Sequence, residues 1–122
     1  MILVVNSDLI WGTKIAEIVR QAGLKYATVK TEQEAMEQAR QLRPALILID
    51  LGVKSLDAMV LIRQLKQDAE LKDTAILGYT FHTDQATWQN GVAAGCDQVV
   101  ARSALQQTLG KEIAKIKNAG SI

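Results

Sequence analysis

One cysteine, one histidine and one proline occur among 122 residues. With Cys96 alone an intramolecular disulfide is excluded, and with one His beside it a structural zinc cage is beyond the chain's own ligands. This cysteine usage fits a reducing compartment. An excess of one charge is lacking too: 14 Lys+Arg stand against 13 Asp+Glu, a formal net charge of +1. That balance removes the basic footprint of a nucleic-acid binder and the polybasic patch that draws a protein to anionic membranes. No apolar run approaches the ~18 residues of a spanning helix. No basic segment precedes Ile2-Leu3-Val4-Val5, so a signal peptide is not expected. The expectation is a soluble cytoplasmic protein without nucleic-acid or membrane partners. What is present is apolar content, 48% of the chain, enough to fold one domain around a core and to exclude disorder.

The apolar residues fall into short runs and helical stripes. Ile2–Val5 is a β-branched run without alternation, which predicts a strand covered on both faces. Trp11, Ile15, Ile18, Val19 and Ala22 then follow helical spacing, with Ser7 or Asp8 to cap the start and Gly23 to stop the end. Lys25–Lys30 reads as a polar edge strand. Thr31-Glu32-Gln33-Glu34 is a capping box for a helix that Pro44 stops. Ala45–Ile49, the most apolar run, predicts the central strand and ends at Asp50. A helix over 56–67 offers Met59, Val60, Ile62 and Leu65 as its buried face. Ala75–Thr80 is a fourth strand. Thr83 or Asp84 caps a helix with Trp88, Val92 and Ala93, which Gly95 ends. Gln98–Ala101 is a fifth strand. Ser103 and Gln106 match a second capping box, ahead of a stripe of Leu105, Leu109, Ile113 and Ile116. Five βα units in this alternation imply parallel, right-handed crossovers. Residues 1–118 are expected to form the domain and 119–122 a loose tail.

Sheets of this kind carry their sites beyond the carboxyl ends of the strands. Those ends are Asn6, Ser7 and Asp8 after the first, Asp50 after the third, Thr80 after the fourth and Arg102 after the fifth. Asp50, closing an apolar run, is either a polar strand terminator or a carboxylate presented to solvent from a fixed backbone.

Taken together, these tips resemble the receiver domain of bacterial two-component response regulators, over nearly the whole chain. The resemblance rests on Val4-Val5-Asn6-Ser7-Asp8, on Ala45-Leu46-Ile47-Leu48-Ile49-Asp50-Leu51, on Ile76-Leu77-Gly78-Tyr79-Thr80 and on Ala93-Ala94-Gly95-Cys96-Asp97. It implies an α/β fold of the flavodoxin-like type, a (βα)5 doubly wound sheet of five parallel strands in the order 2-1-3-4-5. It implies a signalling module rather than an enzyme. Asp50 would be the phosphoacceptor, with Thr80 on the phosphoryl oxygens and Arg102 in the place of the pairing base. Mg²⁺ would be held by Asp50 and, with a shifted turn, Asp8. A histidine kinase or phosphotransfer protein would donate the phosphoryl group. Other signalling proteins would dock on the face made by the fourth helix, fifth strand and fifth helix (about 86–117), and the resemblance allows a homodimer.

Departures from the family pattern temper this. Its adjacent acidic pair aligns with Asn6 and Ser7, both neutral, so metal affinity is expected to fall. Arg102 stands where the family has Lys, and a planar fork does not reproduce an ammonium. Ser103 replaces the following Pro. Phe81 occupies a position that is small in the family and is expected to crowd the site. Val99 replaces the aromatic switch residue. Two other functions therefore stay open: a pseudo-receiver that binds partners without phosphorylation, and a flavodoxin-like small-molecule binder. The latter lacks a Gly-rich phosphate cradle, since Trp11-Gly12-Thr13-Lys14 falls inside the first helix pattern. His82 reads as a loop residue or a ligand, Trp88 as core or an exposed anchor, and Cys96 as a small buried hydrophobe. Lys111, Lys115 and Lys117 read as the solvated side of the last helix.

Overall fold

The computed structural model describes residues 1–119. Five strands, β1 (Ile2–Val5), β2 (Tyr26–Val29), β3 (Leu46–Asp50), β4 (Ala75–Thr80) and β5 (Gln98–Ala101), alternate with α1 (Leu9–Gln21), α2 (Glu32–Leu42), α3 (Ala58–Gln67), α4 (Gln85–Ala94) and α5 (Leu105–Ala119). The strands pair in parallel in the order β2-β1-β3-β4-β5, so the apolar β3 is central and the more polar β2 is an edge, as expected. Alternation along each strand divides the core in two. Leu3, Val5, Ile47, Ile49, Ile76 and Val99 face α2, α3 and α4; Ile2, Val4, Leu46, Leu48, Leu77, Tyr79 and Val100 face α1 and α5. Every side chain from Leu46 to Ile49 is at most 2% exposed. Each such burial contributes about 1.5–3 kcal/mol, which is why this run sits in the middle of the sheet. Among the described residues no helix is long and apolar enough to cross a membrane.

Local rules set the boundaries. Asp8, Asp57 and Asp84 cap α1, α3 and α4 by accepting backbone N–H bonds in the first turn. Thr31 Oγ1 accepts from Glu34 N at 3.1 Å, while Glu34 Oε1 reaches one residue further than a capping box requires, to Lys30 N at 2.9 Å. Arg43 takes the left-handed conformation (φ 47°) just before Pro44, closing α2.

Four local expectations are corrected. The α3 helix starts at Ala58, so its buried face is Ala58, Leu61, Ile62 and Leu65, with Met59 and Val60 only half-buried. On α4, Val92 and Ala93 point outward. The helix lies so close to the β3–α3 loop that a Cβ on Gly91 would stand 2.7 Å from Leu51 Cδ1, so Gly91 and Ala94 face inward. Trp88, three residues before Gly91, shares that side and packs half-buried on the core. The Ser103 capping box does not form: a short 3₁₀ turn (Arg102–Ala104) without a side-chain cap leads into α5. Finally, α5 continues through Ala119, the first residue of the expected tail; the rest of that tail lies outside the described residues.

Candidate functional site

The carboxyl ends of β1, β3, β4 and β5 share one rim, and register brings their tips together: Asp50 lies beside Tyr79, and Thr80 beside Ala101. Ser7, Asp8, Asp50, Gly52, Lys54, Thr80, Phe81, Asp84 and Arg102 line a cleft of about 450 Å³ there. The predicted residues Asp50, Thr80, Arg102, Ser7 and Asp8 therefore do meet. Asn6, Asp50 and Thr80 are the buried polar side chains of the described core.

Asn6 does not face the cleft as an acid would. Its Nδ2 donates to the Asp8 carbonyl at 2.8 Å, and its Oδ1 accepts from Asp8 N at 3.1 Å. This closed ring shapes the β1–α1 turn. Gly12 makes room for it, since a Cβ there would stand 2.8 Å from Asn6 Nδ2. Ser7 is exposed. Asp8 Oδ1 is the α1 cap, accepting from Ile10 N at 3.0 Å and Trp11 N at 3.1 Å. Asp50 Oδ1 accepts from Gly52 N at 2.9 Å.

The remaining oxygen of each acid faces one guanidinium. Arg102 Nη1 is 3.5 Å from Asp8 Oδ2, and Arg102 Nη2 is 3.6 Å from Asp50 Oδ2. The same guanidinium lies 4.6 Å from the Phe81 ring centre, 5.2 Å from Trp11 and 5.8 Å from Tyr79, each within cation–π range. Burial pushes the Asp50 pKa above its ordinary value; the Gly52 N–H and Arg102 pull it down, Asp8 adds to the rise, and burial wins. Burial likewise raises the Tyr79 hydroxyl, with the Asp50 charge adding to it.

The sequence reading missed this aromatic box and the cleft residues Lys54 and Asp84 as site members. A signal existed for the box. Tyr79 and Phe81 flank Thr80 at strand spacing and so share a face, on the strand next to the one Arg102 follows; Trp11 opens the helix after β1. Phe81 was expected to crowd the site; it lines the cleft, 57% exposed, with its ring against Arg102. Lys54 carried no such signal. His82 is exposed beside an apolar cleft of about 300 Å³ shared with Trp11, Phe81, Arg102 and Ser103. Cys96 is buried and free, its thiol pushed up to about 12 by burial. Val99 packs in the core.

As a metal site the donor set does not fit. Asp50 and Asp8 supply four carboxylate oxygens, and each already faces an N–H donor. Among the described residues no three acids, histidines or cysteines stand together as metal ligands would.

A family model described as the response regulator receiver domain matches residues 2–114. The signal receiver domain of a signal transduction histidine kinase from Syntrophus aciditrophicus is 20% identical, with a TM-score of 0.83 over 98% of this chain and 91% of that one. The chemotaxis response regulator CheY4 of Vibrio cholerae is 21% identical, with a TM-score of 0.79 over 91% and 96%. The receiver domain of NtrX from Brucella abortus is 16% identical, with a TM-score of 0.79 over 93% and 98%. At such identities the solved structures show the shared fold. Comparison with curated proteins found no match.

Proposed function

The chain belongs to the response regulator receiver domain family, and from that premise we propose that it serves two-component signalling as a protein-interaction module, with a pocket ill suited to metal-assisted phosphoryl transfer. One observation carries this reading: beside the buried Asp50, the tip of β1 offers a neutral Asn6 turned back on its own turn and a neutral exposed Ser7. A gathering phosphate needs its charge neutralised, and a hard divalent ion would find too few free carboxylate oxygens to do it. Mg²⁺ binding is then weak. The domain turns over no substrate of its own and works in the cytoplasm. Partners dock on the face formed by α4, β5 and α5, where Val92 stands outward at 55% exposure; a second copy of the chain is one candidate. The near-neutral charge supports neither nucleic acid nor membrane as a partner.

A second reading keeps Asp50 as phosphoacceptor, and the open cleft above Asp50 and Thr80 favours it. Asp50 Oδ2 would attack phosphorus on the phosphohistidine of a histidine kinase or phosphotransfer protein. An O–P bond forms, the P–N bond breaks, and its electron pair stays on the imidazole. Thr80 would contact the phosphoryl oxygens, and Arg102 would pair with them. Incubation with a small acyl phosphate and Mg²⁺, followed by intact-mass measurement, separates the two. The interaction-module reading expects no adduct, and a partner captured equally by wild type and Asp50→Asn. One added phosphoryl group, absent in Asp50→Asn, would establish the second.

A further inference from the structure

Arg102 is placed as no ordinary surface arginine is. Its guanidinium stands between two carboxylates from the tips of β1 and β3, and three aromatic rings lie around it. Its side chain is 23% exposed. Among the described residues, the buried side-chain nitrogens and oxygens without a hydrogen-bond partner are Trp11 Nε1, Tyr79 OH and Arg102 Nε, all in this one box. A fold optimised for stability alone would satisfy these atoms or replace them by apolar ones.

We infer that Arg102 is a tethered cation that takes the place of a divalent metal between Asp8 and Asp50, permanently offsetting one of their two negative charges and hindering exchangeable ions from entering the pocket. This deepens the metal-poor reading of the pocket and rests on it. The charge argument is direct. Two acids this close to one another repel, and a positive group between them relieves that repulsion in either of two ways: an ion from solution or a side chain already in place. The side chain has the advantage of zero distance to travel. Its planar fork presents a separate nitrogen to one oxygen of each acid while its central carbon stays within cation–π range of three rings, and a compact ammonium has no such fork. An incoming cation would meet the guanidinium within a few ångströms, in a setting where like charges repel strongly. Arg102 is thus a positioning residue that sets which cations the pocket admits.

The test is Mg²⁺ titration of the full chain by calorimetry, and by Trp11 fluorescence in a Trp88→Phe background. Arg102→Ala removes the cation. Arg102→Gln keeps the stem over the rings without charge and guards against a folding defect in the first variant, with circular dichroism confirming the fold. Both variants are expected to bind Mg²⁺ about tenfold or more tighter than wild type, and Asp8→Asn added to either should abolish the gain. No gain in a folded Arg102→Gln protein overturns this inference and leaves the metal-poor reading standing, provided wild type binds weakly. Tight Mg²⁺ binding by wild type overturns both.

Discussion

Two clusters join a basic side chain to a buried strand end, one at each end of β4. At the amino end, Asp97 Oδ2 accepts from Ile76 N at 2.7 Å and from Lys66 Nζ at 3.0 Å; Lys66 also donates to the carbonyls of Lys72 and Thr74, both at 3.3 Å. Every charge there has a partner at hydrogen-bond length. At the carboxyl end, Arg102 meets Asp8 and Asp50 only at 3.5 and 3.6 Å, its Nε has no partner, and neither does the Tyr79 hydroxyl beneath it. The first has the bonding of a staple and the second the open bonding of the candidate site. Polar satisfaction tells them apart, because a cluster kept for stability closes its hydrogen bonds, whereas one kept for another purpose tolerates open ones.

If that contrast is right, truncation should hurt the staple far more than the site. Asp97→Ala leaves the Ile76 N–H buried and unpaired and takes from the Lys66 ammonium its charged partner, leaving it the two carbonyls, and is expected to cost about 2 kcal/mol in urea denaturation. Asp50→Asn, which removes a desolvated charge from the other end, is expected to leave stability unchanged or raise it by up to about 1 kcal/mol at neutral pH. A loss as large as that of Asp97→Ala would erase the distinction.

Acidity sharpens the same comparison. The folded pKa of Asp50 lies above its ordinary 3.8, so the folded state keeps a proton that the unfolded chain has already released. Stability drawn from Asp50 therefore falls as pH rises through the window above 3.8. The advantage of Asp50→Asn over wild type should be full at neutral pH and shrink as pH is lowered toward that value, read as converging urea midpoints. Asp68, lowered by the Glu70 N–H and Arg40, and Asp84, lowered by Thr87, lose stability on acidification in both proteins, so they cancel in the difference. The smallest effect is expected from Phe81→Ala. Its stability should change by less than about 0.5 kcal/mol, while hydrogen exchange at the buried Arg102 Nε–H should quicken as the outermost ring is removed.

The architecture was legible because it depends on periodicity and on a few terminators. Four-residue apolar runs, Asp caps, Gly23 and Gly95 with positive φ, and Pro44 after Arg43 all act within a few residues of themselves. The α4 face was misread because its inward side is made of the smallest residues, Gly91 and Ala94, and hydrophobicity scales give such positions little weight against Val92. In the site, the strand tips followed from topology, and the neutral character of Asn6 and Ser7 from their identity alone. What Arg102 does there was not legible. Its role depends on a side chain reaching past β4 and β3 to Asp8, and on Trp11, Tyr79 and Phe81 closing round it, a meeting of residues from three separate segments.

That reach also has a mechanical side. Arg102 grips the start of α1, and near the other end of the same helix Lys117 of α5 donates from Nζ to the Ala22 carbonyl at 2.9 Å. The helix is thus held top and bottom by residues of the β5–α5 unit. A break at either contact should loosen α1 and α5 together while β3 and β4 stay paired.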